Sequence, residues 1–505
     1  MLIALTACAD RQMGGVHVPA WVSDTSSYGA ALAPTFTIAD RYREVAAKII
    51  DTARKDRGAY AKLAHLTDRI GARLAGSPQL NAAIAWAAQT MKDEGFTVRT
   101  EKVMVPHWVR GVEEAALVGP VSRALPVLGL GGSVATPKGG LTANVVVVRD
   151  WAELEARAAE VKGSIVLYDV AMPPWSETKG HYGYGVAVPY RSRGASRAAK
   201  LGAVAVLVRS VTPNSLHTLH TGSMSYDPAQ PKIPAASVTV EDSQLIARLA
   251  AQGPVQIRLR IESQLLPEAE SANVIAELTG KEQPDEIVVI GGHLDSWDVG
   301  QGAHDDGAGC VTMMHAITVL KRMGLQPRRT IRVVLWTNEE NGVRGAKAYV
   351  KDHEAELAKH VLAVESDGGG FAPRGFIMLA RKDVAPRAES RLTDILSLLR
   401  PLQSSRLING DRSGTDVEPM APHGVPTLEI LSANAKYFDY HHSAADTLDK
   451  VDPGELAEAV AAMAVLAYVV ADMPERLDAP LPVAPARVPT PDPPRALIPP
   501  PDKSK

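Results

Sequence analysis

The chain has 505 residues, 46% hydrophobic and 22% charged, with a formal net charge of -3. That length points to two domains plus tails, and the composition is that of an ordinary globular protein. The slight acidity argues against a nucleic-acid binder, the two cysteines (Cys8 and Cys310) exclude a disulfide framework and a cysteine-type zinc site, and no apolar run reads as long enough to span a bilayer.

The chain opens on an apolar stretch, Met1 to Ala7, followed by Cys8. Leu5-Thr6-Ala7-Cys8 resembles a lipobox, in which the cysteine is lipidated and becomes the mature N-terminus. It lacks a basic segment and its apolar part is short, as a start called too late would leave it. The alternative is a frayed apolar terminus. The lipobox implies an exported protein, periplasmic or held at a membrane by lipid on Cys8, with secretion as the alternative. Residues 1–39 are rich in Gly, Pro and Ser and read as irregular. From Asp40 to Arg57, Tyr42, Val45, Ala46, Ile49 and Ile50 recur at helical spacing. A second helix runs from about Leu80 to Glu94 and stops at Gly95; Phe96 to Val105 alternates as a strand.

The character changes over residues 112–261, which hold short runs such as 144–148, 164–168 and 203–208, with a helix over 192–201. This stretch reads as a β-rich insert. Gly129-Leu130-Gly131-Gly132 lacks dinucleotide-binding spacing and reads as a turn. His217-Thr218-Leu219-His220 reads as a solvated loop rather than a metal pair. From Ala272 strands and helices alternate: strands over 286–290, 330–336, 361–364 and 426–430, helices over 308–323, 345–358 and 453–472. The fold class is therefore α/β, a mostly parallel doubly wound sheet with helices on both faces and the β-rich insert. Residues 40–111 and 262–473 form the catalytic domain, and the Pro-rich tail 474–505 is disordered or extended.

In such sheets ligands bind beyond the carboxyl ends of the strands. His293 follows one strand end, Glu339 and Glu340 a second, and Asp367 a third. His304-Asp305-Asp306-Gly307 and Tyr440-His441-His442-Ser443 through Asp446-Thr447 complete the set. Any one of these residues alone would pass as structural; Asp306 in particular reads as a backbone support, and Cys310 as a small buried residue. Together they suit two metal ions, because imidazoles and carboxylates without thiolate mark catalytic rather than structural zinc. Of two adjacent glutamates, one reaches a metal and its neighbour can move protons.

These segments resemble the co-catalytic zinc exopeptidases, the group containing bacterial aminopeptidases and glutamate carboxypeptidases. The block from His293-Leu294-Asp295-Ser296-Trp297-Asp298 to Gly307 is most similar to the carboxypeptidase Q (plasma glutamate carboxypeptidase) branch. The resemblance runs from about Asp40 to Met473, with the insert similar to a protease-associated domain. It implies two zinc ions per subunit, Asp305 bridging them, His293 and Asp367 completing one site, and Glu340 and His442 the other. It implies Glu339 as general base and Asp295 as the residue that orients His293. His442 is preferred to His441 as ligand because relatives place the ligand four residues before the Asp of Asp446-Thr447. His441 stands where several relatives carry an oxyanion-stabilising tyrosine. Gly414-Thr415-Asp416 resembles a substrate-side loop in which Asp416 meets a free amino terminus, a plain turn being the alternative. The implied substrate is a dipeptide or short peptide, and the implied assembly a homodimer.

Within the class, an aminopeptidase is the runner-up. A non-catalytic binding protein on the same fold predicts lost ligands, yet every expected ligand is present. A glutaminyl-cyclase-like acyltransferase would typically use one zinc and lack the insert. A metallophosphatase would need another ligand order, and a thermolysin-like protease is excluded for want of His-Glu-x-x-His.

Overall fold

Eight strands form the sheet that carries the functional residues in the computed structural model, which describes residues 37–119, 121–176 and 183–481. Their spatial order is Thr97–Val109, Gln264–Leu278, Arg329–Trp336, Gln283–His293, His360–Glu365, Thr427–Ser432, Pro373–Leu379 and Arg406–Asn409. Four central strands run parallel: Gln283–His293 pairs with Arg329–Trp336 and His360–Glu365, and the latter with Thr427–Ser432. Thr97–Val109 pairs antiparallel with Gln264–Leu278, Gln264–Leu278 with Arg329–Trp336, and Pro373–Leu379 with Thr427–Ser432, while Arg406–Asn409 pairs parallel with Pro373–Leu379. The expected mostly parallel sheet is thus corrected to a mixed one. Strand–helix alternation reveals the parallel centre, but periodicity says nothing about the direction of flanking strands whose partners lie far off in sequence.

Both faces of the central strands are apolar, as buried parallel strands require. Val288, Ile290, Ile331, Val333, Leu335, Leu362 and Val364 face one layer of helices; Ile287, Val289, Val334, Trp336 and Ala363 face another. The first layer contains helix Ile38–Lys55, whose start is set by a capping box: the Thr37 hydroxyl accepts from the Asp40 N–H, and Asp40 accepts from the Thr37 N–H. It packs Tyr42, Ala46, Ile49 and Ala53 beside helix Pro453–Asp472. That second helix, capped by the Asp452 carboxylate on the N–H groups of Gly454 and Glu455, is long and apolar enough to cross a membrane. The expectation that no run has that length is therefore corrected. The helix is apolar all round because it is buried all round.

Residues 113–261 form a second eight-stranded sheet, also mixed. Side chains alternate as a period of two demands. Val146, Val148, Val166, Tyr168, Val206 and Val208 meet helix Tyr184–Lys200, while Val145, Val147, Ile165, Leu167 and Leu207 meet helix Val240–Ala250. The β-rich description is corrected to α/β, since helix Val240–Ala250 went unread in the sequence. The start of the tail is also ordered: Arg391 donates to the carbonyls of Leu477, Ala479 and Pro480, and Arg329 to that of Pro474. The lipobox-like Leu5-Thr6-Ala7-Cys8 and the tail beyond 481 lie outside the described residues.

A buried relay in the catalytic domain has a consequence for acid stability. Arg332 donates to the Tyr349 hydroxyl (2.9 Å), Tyr349 donates to His360 Nε2 (2.8 Å), and His360 Nδ1 donates to the Glu356 carbonyl (3.0 Å). The His360 ring is neutral in this arrangement, and burial holds its pKa down to about 4. The unfolded chain takes up this proton near its ordinary pKa of about 6.5, before the folded protein does. Stability is therefore full above that value and is lost as pH falls towards 4, by at most about 1.4 kcal/mol per pH unit for this one proton. Denaturant titrations in chelator between pH 7 and 4 should show a shallower decline for His360→Gln than for the parent. Equal slopes would remove His360 from the account.

Candidate active site

The parallel strands bring the site together because their carboxyl ends point the same way. His293 is the last residue of strand Gln283–His293, Glu339 and Glu340 follow strand Arg329–Trp336, and Asp367 follows strand His360–Glu365. Asp305 lies just before helix Ala308–Arg322, and the Asp305–Asp306 peptide bond is cis. His441 and His442 sit on the loop after the short helix Tyr437–Tyr440.

The central feature is Asp305. Its Oδ1 lies 3.2 Å from His293 Nε2, and its Oδ2 lies 3.2 Å from His442 Nε2. His293 Nε2 is in turn 3.3 Å from Asp367 Oδ1, and His442 Nε2 is 3.1 Å from Glu340 Oε2. One carboxylate thus divides its two oxygens between two clusters. Donor atoms held about 2.0–2.1 Å from one tetrahedral zinc stand roughly 3.3 Å from each other, close to these spacings. Asp305 Oδ2 and Glu340 Oε1 are also buried with no hydrogen-bond partner. Buried carboxylate oxygens are rarely left so, and a cation between them would satisfy both. The donor set therefore fits bound metal.

The supporting contacts refine several expectations. His293 Nδ1 donates to the Asp295 carbonyl (3.0 Å), whereas the Asp295 carboxylate is 3.9 Å from that ring. The carboxylate instead accepts the backbone N–H groups of Glu339 (3.0 Å) and Glu340 (3.3 Å). Asp295 thus orients His293 through its backbone and the glutamate pair through its side chain. Asp306 accepts from the N–H groups of His293 and Gly309, both at 3.1 Å, and so fixes the turn into the helix. His441 stacks on His442 with ring centroids 3.5 Å apart, and its Nε2 is 3.9 Å from Asp305 Oδ2. Asp416 is fully buried, and its N–H donates to the Glu365 carboxylate at 2.7 Å. Both of its carboxylate oxygens are buried without a hydrogen-bond partner, and the opening above Asp305 and Glu340 is lined by Trp297, Val299 and Ser443.

Burial and crowding of like charges shape the electrostatics. Burial pushes Glu339 up to about 8, with Asp367 and Glu340 adding and His293 opposing. Burial likewise raises Glu340 to about 7, with Asp305 adding. Burial opposes charge on His442, but Glu340 and Asp305 prevail and raise it to about 10. The two imidazoles outweigh burial at Asp305 and hold it well below the usual range. Such a cluster of acids attracts cations, and bound cations would pull the carboxylate values down again.

Three supports went unread in the sequence. Arg73, fully buried, donates to the carbonyls of Leu294, Gln301 and Gly302 and so staples the loop between His293 and Asp305. Asp446, used in the sequence only as a landmark, accepts from the N–H groups of His304 (2.7 Å) and Asp305 (3.1 Å). His220 is buried against the His441 carbonyl at 2.7 Å, so the solvated-loop reading of 217–220 holds only for His217 and is corrected for His220. None of the three carries a local motif; Asp446 alone had a signal, its fixed spacing from His442.

Comparison with known proteins gives four concordant likenesses. The family model described as peptidase family M28 matches residues 273–467. Carboxypeptidase Q of Rattus norvegicus is 42% identical over 441 residues, covering 86% of this chain and 90% of that protein. The solved structure of a peptidase M28 precursor from Shewanella amazonensis SB2B superposes with a TM-score of 0.83 at 38% identity, covering 88% of this chain and all of that one. A zinc aminopeptidase from Bacillus subtilis shares the fold at a TM-score of 0.61 and 20% identity, over 83% of this chain and 96% of that one.

Proposed function

This chain belongs to peptidase family M28, and from that premise we infer that it is a carboxypeptidase Q-like zinc exopeptidase that hydrolyses dipeptides or short peptides. The observation that carries this reading is the division of the Asp305 oxygens between the His293–Asp367 pair and the His442–Glu340 pair. Two zinc ions per subunit would be held by these five residues, Asp305 being shared. When bound, zinc polarises a carbonyl and lowers the pKa of water.

The chain's own groups do the rest. Glu339 takes the proton from the attacking water and returns it to the amine that leaves as the peptide bond breaks. Asp295 presents Glu339 by accepting its backbone N–H. His441 is the oxyanion contact, a reading supported by its stacking on His442 and by its buried, unpartnered Nδ1. Asp416 meets the substrate amino terminus, a reading supported by its two buried carboxylate oxygens, neither of which has a hydrogen-bond partner. Residues 112–261 act as a protease-associated-like insert, and the working unit is a homodimer. The protein is exported, with Cys8 as its lipid anchor.

The second reading, an aminopeptidase, is favoured by the Bacillus subtilis enzyme of the same fold. A panel of free dipeptides, their N-acylated and C-amidated forms and longer peptides separates the two, assayed with and without chelator. We expect cleavage of free dipeptides that chelator abolishes, and none of long or capped peptides. Cleavage of C-amidated or long peptides from the amino end would transfer the assignment to aminopeptidase. No turnover by fully zinc-loaded protein would leave a binding protein or a cyclase-like acyltransferase.

A further inference from the structure

The loop that carries His442 is held from outside the catalytic sheet. Thr221 of the second sheet's region donates its N–H to the His442 carbonyl at 2.9 Å. The Thr221 carbonyl faces His442 Nδ1 at 3.3 Å. One residue earlier, His220 Nδ1 lies 2.7 Å from the His441 carbonyl. A carbonyl can only accept, so Nδ1 carries the hydrogen. His220 Nε2 is then the acceptor for the Thr218 hydroxyl at 2.9 Å. His220 is thereby a fixed donor, while His442 Nδ1 faces both the Thr221 carbonyl and Arg191 Nη1 (3.5 Å), and its Nε2 faces Asp305 and Glu340.

His442 needs such support. Its φ is +58°, in the left-handed region that a residue with a side chain adopts only when its surroundings impose it. Two consecutive carbonyls, those of His441 and His442, are each gripped by a donor from residues 220–221, and this fixes the backbone at that turn. The grip is itself anchored. The His220 N–H donates to Ser210 Oγ (3.1 Å), and Thr212 Oγ1 donates to the Phe438 carbonyl (2.8 Å), so the two loops are tied at both ends. Gly222 completes the fit, since a Cβ there would lie 2.3 Å from Arg191 Cζ.

We propose that His220 is a positioning residue for the metal ligand His442, and that residues 218–221 of the insert are thereby an integral part of the metal site. The proposal rests on the reading of His442 as a ligand. It implies that the insert does more than cover the cleft: the ligand's geometry is completed only when the two sheets are docked. Partners that orient a ligand typically contribute about 10–100-fold to metal affinity.

The test is zinc titration of the chelator-stripped full chain against a chromophoric competitor, with unfolding followed in parallel. The parent should show two binding steps, and His442→Ala should lose one. His220→Leu should weaken that same step about 10–100-fold and leave the other unchanged. His220→Asn, whose side-chain amide nitrogen falls near the position of Nδ1, should recover most of the loss. Parental affinity at both steps in His220→Leu would overturn the proposal. So would equal weakening of both steps with a lowered melting temperature, which is the signature of a merely structural residue. Should His220→Leu fail to fold, Thr218→Val, which removes only the hydroxyl donor to His220, should weaken the same step to a smaller degree, and no change would count against the proposal. If His442→Ala itself keeps both steps, the ligand assignment fails first and this inference with it.

Discussion

Glu339→Gln is expected to lower kcat by about 10²–10⁴-fold while zinc content stays at the parental level. Glutamine keeps the shape of the side chain, and the hydrogen bond to Asp295 comes from the backbone of residue 339, so the local fold should persist. What is lost is the basic oxygen. Glu340 cannot take over, because its Oε2 is engaged 3.1 Å from His442 and belongs to the ligand cluster. KM should change little, since the proton is needed in the transition state rather than for binding. The check is kcat and metal content measured on the same preparation. A variant that keeps activity within about tenfold of the parent would remove Glu339 from proton transfer.

Asp305→Ala should lose metal and activity together. Both of its oxygens face an imidazole at 3.2 Å, one in each cluster, so a single substitution takes a donor from both sites. Zinc stabilises the folded protein in proportion to the logarithm of its concentration over Kd. The rise in melting temperature that zinc gives the parent should therefore vanish in this variant. Asp306→Ala gives a contrast, because Asp306 is engaged by the N–H groups of His293 and Gly309. Its loss should disturb the helix start and leave Asp305 to bind metal more weakly rather than not at all. An Asp305→Ala protein that is fully metallated and active would rule out its sharing between two ions.

Much of this site was legible because parallel strands end in the same place. Apolar runs closing at Ile290, Trp336 and Val364 place His293, the Glu339–Glu340 pair and Asp367 at one edge by sequence alone, and the parallel pairing agrees. The chain also declared its long helices, Asp40 to Arg57 by spacing and Pro453 to Asp472 in its bounds, though the apolar length of the latter went unread. Less visible was the edge of the sheet. Thr97–Val109 and Gln264–Leu278 are separated by the whole insert, and only pairing across that gap makes them antiparallel neighbours. Asp295 illustrates the same limit on a smaller scale: its type and position marked it as a support for His293, yet its carboxylate serves the N–H groups of Glu339 and Glu340.

The sequence by itself determined on which strand ends the candidate residues stand, because backbone periodicity and residue type are local properties. Tertiary structure alone decided how those side chains share their oxygens, that the Asp416 N–H is held by the Glu365 carboxylate, and that His220 of the insert reaches the loop of His442. Those facts depend on hydrogen bonds and packing between segments that only the fold brings together, from Asp416 and Glu365, 51 residues apart, to His220 and His441, 221 apart. No local pattern encodes such contacts, since each partner satisfies its own neighbourhood equally well until the two sheets meet.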